Sequence, residues 1–204
     1  MADAGKYKTI RSVSSGIYRE KGSRFISSAH PVKNENEIKQ IIEGIRKEYH
    51  EARHHCYAWV TGIEGEKWRA NDDGEPSGTA GRPILGQIRS RELTNILIVV
   101  SRYFGGTLLG VSGLINAYRS AASSALEDAE IIEHILKDSY ELIFPYQSIN
   151  YVMTIIKEEN IDQSAHSFDL ECRMIIAFRT SEAERIISRF ARIEGLKYNY
   201  ISSD

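Results

Sequence analysis

Residues 96–100 read Ile-Leu-Ile-Val-Val, with no polar residue among them. Such a run leaves neither side of an extended segment for water, so it suits a strand buried on both faces. Around it the pattern alternates between strands and helices. Residues 7–13 and 23–33 contain strand-like runs, with a turn at Gly16 and another at Lys21-Gly22-Ser23. Ile38, Ile41, Ile42, Ile45 and Tyr49 share one helical face over 35–50. His55, Tyr57, Trp59 and Thr61 alternate with Cys56, Ala58 and Val60 as a strand over 54–61, and a turn at 62–65 leads to a partner strand near 66–71. A helix is expected from about 79 to 89. A glycine-rich loop over 104–113 precedes another at about 112–129, whose Ala117, Ala121, Ala122 and Ala125 allow close packing on a sheet.

The last seventy residues follow a second pattern. Tyr140, Leu142 and Phe144 alternate as a strand, and Ile149, Val152, Met153 and Ile156 mark a helix. A weak strand over 161–168 precedes a strong alternation at Leu170, Cys172, Met174, Ile176 and Phe178. Ser181 and Glu184 have capping-box spacing before a helix bearing Ile186, Ile187, Phe190 and Ile193, and Gly195 can end it. Leu196, Tyr198 and Tyr200 form a final strand. The order β-α-β-β-α-β is ferredoxin-like. The fold class is therefore α+β with two domains, 1–132 and 133–204.

Charge and cysteine usage narrow the function classes. The 204 residues carry a net charge of −2, which excludes a globally basic nucleic-acid coat. Residues 1–132 are slightly basic and 133–204 acidic, so any anion site belongs in the first domain. Cys56 and Cys172 fall in different domains, which fits a reduced, intracellular setting. The start of the chain lacks a basic segment followed by an apolar one, and no stretch is apolar enough to span a membrane. A cytoplasmic protein without a membrane partner is expected.

Three motifs carry candidate chemistry. His50-Glu51-Ala52-Arg53-His54 matches H-E-x-x-H, which binds zinc when both histidines share one helical face. Here it straddles a helix end, where that geometry is lost. The loop Asp72-Asp73-Gly74-Glu75-Pro76-Ser77-Gly78-Thr79-Ala80-Gly81 is dense in constrained polar residues. Ser77 or Thr79 is placed to cap the next helix, whose N-terminus attracts an anion. The third motif, Arg102-Tyr103-Phe104-Gly105-Gly106-Thr107-Leu108-Leu109-Gly110-Val111-Ser112, has phosphate-loop spacing from Gly105 but Val111 where the lysine belongs. Nucleotide hydrolysis then lacks its phosphate clamp. Backbone N–H groups flanked by Arg102 and Arg119 still suit an RNA phosphate, and Tyr103 or Phe104 suits a stacked base. Both loops lie at element ends and are expected to converge. Cys56 reads as a small core residue, and no complete nucleophilic triad can be placed.

Taken together, Arg53-His54-His55-Cys56-Tyr57-Ala58, residues 72–85 (DDGEPSGTAGRPIL), residues 101–114 (SRYFGGTLLGVSGL) and Lys21-Gly22-Ser23-Arg24-Phe25-Ile26 resemble the signature of the YigZ/IMPACT family. The resemblance implies an N-terminal α/β sandwich like domain IV of elongation factor G and a ferredoxin-like C-terminal domain like domain V of that factor. Eukaryotic members regulate translation by competing for an activator of an initiation-factor kinase, through protein contacts rather than catalysis. The expected function is thus a non-enzymatic, translation-associated protein without a cofactor, whose partner is RNA, the ribosome or a translation-regulatory protein. Arg53, Arg69, Arg102 and Arg119 are expected to contact phosphate. His54, Asp73, Glu75, Ser77, Gly78, Thr79, Tyr103, Gly105, Gly106 and Thr107 are expected to shape the site. The alternative is a metal-dependent hydrolase using His50, His54 or His55 with Asp72, Asp73 or Glu75.

Overall fold

A computed structural model describes residues 5–167 and 171–203. Phe168 and Leu170, assigned above to strands, lie outside the described residues. The chain divides into two compact units, Tyr7–His134 and the chain from Ile135 onward together with Gly5 and Lys6.

The first unit is built on five antiparallel strands. They are β2 (Ser14–Glu20), β3 (Ser23–Pro31), β4 (His54–Thr61), β5 (Lys67–Asn71) and β6 (Ile96–Tyr103), in the order β2-β3-β6-β4-β5. The apolar run occupies the central strand, where Ile96, Leu97, Ile98 and Val100 are fully buried. Alternate residues face two separate cores. Ile96, Ile98 and Val100 join Cys56 and Ala58 beneath α2 (Gly81–Ser90) and α3 (Gly110–Glu127). Leu97 and Val99 join Tyr57 and Trp59 beneath α1 (Glu35–Glu48). Asn34 caps α1 by accepting from the N–H groups of Asn36 and Glu37. A separate pair, β1 (Lys6–Ile10) with β7 (Ile131–Ile135), contains the points where the two units divide.

The second unit carries β8 (Lys137–Pro145), α4 (Ile149–Glu158), β9 (Asp162–Ser167), β10 (Glu171–Arg179), α5 (Ala183–Phe190) and β11 (Lys197–Ser203). Its sheet order is β11-β8-β10-β9, the ferredoxin-like arrangement. Leu142, Phe144, Cys172, Met174, Ile176 and Phe178 pack against Val152, Ile156, Ile186 and Phe190 of the two helices.

Local expectations needed correcting in three places. Gly16 lies inside β2 rather than in a turn. A Cβ there would sit 2.6 Å from the backbone nitrogen of Ala125, so the glycine lets α3 cross the strand closely. The Ser181–Glu184 capping box does not form. A short 3-10 turn at Thr180–Glu182 leads into α5, and no side chain caps that helix. The glycine-rich loop is shorter than expected, because α3 begins at Gly110.

Two glycines hold that loop against the β2–β3 turn. Gly22 has φ +80°, and a Cβ on Gly105 would overlap the backbone of Gly22 and Ser23. Gly44 and Gly86, on α1 and α2, have nothing within 4 Å of an added Cβ. Gly105→Ala is therefore expected to destabilise the protein by about 1–3 kcal/mol through overpacking. Gly44→Ala and Gly86→Ala are each expected to stabilise it by about 0.5–1 kcal/mol through helix propensity. Urea unfolding of the three variants measures both signs.

Candidate functional site

The two motif loops do converge, beside the start of β4 and the end of β6 on the α2–α3 face. His54 and Arg102 are cross-strand partners there. Arg102 is 6% exposed. One terminal nitrogen donates to Glu75 Oε1 at 2.6 Å, and the other lies 3.5 Å from Ser23 Oγ. Ser23 Oγ also accepts from the Gly105 N–H at 3.2 Å. The Tyr118 hydroxyl, from α3, donates to Glu75 Oε1 at 2.8 Å. A charge this deep in the protein is tolerated only when paired and hydrogen-bonded, and the pair meets both conditions.

His54 completes this cluster. Its Nδ1 lies 2.8 Å from the Asp73 carbonyl oxygen, which can only accept, so Nδ1 carries the proton. Its Nε2 faces Glu75 Oε1 at 4.0 Å. The Cys56 thiol lies 3.0 Å from the Asp72 carbonyl and 3.3 Å from Tyr118 Oη. Burial pushes the pKa of Cys56 far up, and that of Tyr118 likewise, so both stay protonated and Cys56 is no nucleophile.

The acidic loop is occupied by its own architecture. Asp72 Oδ1 accepts from the N–H groups of Ala80 and Gly81 at 3.0 and 2.8 Å, and Oδ2 from Gly78 at 2.8 Å. Asp72 thus caps α2, and neither Ser77 nor Thr79 does. Ser77 is exposed, and the buried Thr79 hydroxyl donates to the Pro76 carbonyl. The N-terminus of α2 already has its anion. Asp73 accepts from Arg46 and from the His55 N–H, both at 2.7 Å. His55 points to the α1 face, bonded to Ser101 Oγ at 2.9 Å. Burial lowers its pKa below the ordinary value. Among the described residues, no three His, Cys, Asp or Glu side chains gather to hold a metal ion. The ligand set of the hydrolase alternative is therefore not assembled.

The expected phosphate contacts also separate. Arg69 pairs in register with Trp59, which places it on the α1 face, opposite Arg102. Tyr103 belongs to that face too, under the Arg24 guanidinium at 4.5 Å. Arg119 is exposed on α3 and does not line the cleft described next. Gly106 and Thr107 are exposed, whereas Gly105 serves the backbone approach to Gly22.

What the loops enclose is a cleft of about 350 Å³. Arg53, His54, Glu75 and Arg102 supply its polar part, and Phe104, Leu108, Leu109, Val111 and Leu114 its apolar walls. Leu108 is 84% exposed, Val111 60% and Phe104 41%. The sequence reading missed this apolar rim, although three large apolar side chains in a glycine-rich loop were there to signal it. The guanidinium carbons of Arg53 and Arg102 each lie 5.7 Å from the centre of the Phe104 ring.

The ion pair predicts a non-additive stability pattern. Glu75→Leu leaves Arg102 buried and uncompensated, and is expected to cost about 3–5 kcal/mol. Adding Arg102→Met to it should recover most of that loss. A double-mutant cycle by urea unfolding checks this.

Comparison with known proteins agrees with this arrangement. The Impact N-terminal domain model matches residues 21–126, which span the cleft and every residue in it. The chain is 32% identical over 177 residues to the IMPACT family member YigZ of Escherichia coli (strain K12), covering 84% of this chain and 87% of that one. It is 44% identical over 114 residues to the IMPACT family member YvyE of Bacillus subtilis (strain 168). That match covers 56% of this chain and about half, 52%, of the relative. A crystal structure of a hypothetical protein superposes with a TM-score of 0.69 at 26% identity, over 97% of this chain and 98% of that one. The motifs, the two-unit fold and these matches agree: the chain belongs to the IMPACT family.

Proposed function

We propose that this chain is a non-enzymatic, translation-associated binding protein that engages a protein partner through the cleft of its first unit. The observation that carries the reading is the rim. Phe104, Leu108 and Val111 are large, apolar and exposed around one concavity. Clustered apolar exposure beside a polar floor is the composition of a protein contact site. Family membership directs the search for the partner to translation, because the resemblance of the motif blocks ties eukaryotic members to translational control.

RNA is the weaker of the expected partners. Phosphate recognition needs cations with free charge. Arg102 is committed to Glu75, and Arg69 faces away from the cleft. Arg53 alone among the cleft-lining cations has no ion pair among the described residues.

Sedimentation of a lysate on a sucrose gradient, with and without nuclease, tests the proposal. The wild-type protein is expected to travel with translation complexes, to remain associated with protein after nuclease treatment, and to move to the top when Leu108 and Val111 are both changed to Asp. Release by nuclease together with indifference to the two substitutions would favour RNA instead. A protein that stays at the top under all conditions would remove stable association.

A further inference from the structure

Arg102, one of the residues lining the cleft, has one unmet demand. Arg102 Nε is buried and is the only such side-chain nitrogen or oxygen among the described residues without a hydrogen-bond partner. Buried polar groups in native proteins are nearly always satisfied, so this orphan donor calls for an acceptor, which an ordered water or a ligand supplies. Its position indicates which acceptor. Arg102 lines the cleft, and the charge on its terminal nitrogens is balanced by Glu75. Arg53, at the same cleft and exposed, has no ion pair among the described residues. The net demand is one negative charge, shared between an exposed guanidinium and one buried N–H.

We infer that the cleft is a binding site for a small monocarboxylic acid with an apolar body, its carboxylate taken by Arg53 and Arg102 Nε. A carboxylate supplies a single charge and two oxygens, one for each guanidinium. The apolar body lies against Leu108, Leu109, Val111 and Leu114. The volume of about 350 Å³ falls within the range of small-ligand sites, roughly 300–1,000 Å³. The Phe104 ring centre lies 5.7 Å from the guanidinium carbon of each arginine and the side chain is partly exposed, so it borders the proposed carboxylate position. A phosphate, larger in charge and hydration, gains nothing from such walls. The inference uses the same cleft as the proposed partner contact but not the partner, so each stands or falls by its own measurement.

The test is a two-dimensional NMR titration of the full-length protein with sodium hexanoate, and separately with hexanol, hexylamine and inorganic phosphate. Hexanoate is expected to give saturable shifts confined to the neighbourhood of Arg53, Phe104, Leu108 and Val111, with a dissociation constant on the order of 1 mM. Hexanol is expected to bind about 10-fold more weakly, the worth of a charge-assisted hydrogen bond. Arg53→Gln should weaken hexanoate by a similar factor, about 10-fold, and leave hexanol unchanged. Arg102→Lys keeps a cation for Glu75 but removes the Nε donor, and should erase the preference for hexanoate over hexanol. If that variant does not fold, the Arg53→Gln comparison decides. Equal binding of hexanol would reduce the site to an apolar groove. Tighter binding of hexylamine or phosphate, or shifts that never saturate, would overturn the assignment.

Discussion

The Arg102–Glu75 ion pair is the interaction on which the site depends. It ties the end of the central strand to the loop after β5, and the Tyr118 hydroxyl brings α3 to the same carboxylate. The surrounding polar groups extend this join. Asp72 fixes the loop to the start of α2, and Ser23 holds Gly105 beside the β2–β3 turn. Buried pairs of this kind contribute little net stability against a hydrophobic alternative, but their removal by halves is costly. Here the pair sets the relative position of four chain segments, and the cleft is the space left between them.

The same join explains why the most motif-like residues are poor ligand contacts. Asp72, Thr79 and Gly105 are spent on helix capping, turn formation and backbone approach. Asp73 is divided between Arg46 and the β4 backbone. The large exposed side chains that line the cleft are Arg53, Phe104, Leu108 and Val111. Constrained polar sequence marked the place of the cleft, while the exposed side chains are the less constrained residues at its rim.

Much of the fold was legible because it rests on local periodicity. The apolar run at 96–100 is the central strand, and the alternation from Tyr140 to Tyr200 is the ferredoxin-like sheet. Strand β7 was not legible: it is largely exposed, so no burial pattern betrays it. The capping-box spacing at Ser181 was overridden by a 3-10 turn, and Gly16 read as a turn because its reason, the crossing of α3, is 108 residues away in the chain at Ser124. The convergence of the two loops was legible from their place at element ends. Which charges cancel was not, since Glu75 and Arg102 are 27 residues apart and Arg69, on the edge strand β5, faces opposite to the buried Arg102.

The most direct measurement is site-specific photo-crosslinking in living cells, with the photoreactive residue placed at Leu108 on the rim and, for comparison, at Arg69 on the opposite face. The account predicts a discrete protein adduct from position 108 that belongs to the translation machinery and withstands nuclease, with none from position 69. Adducts to RNA alone, or the same adducts from both positions, would contradict it.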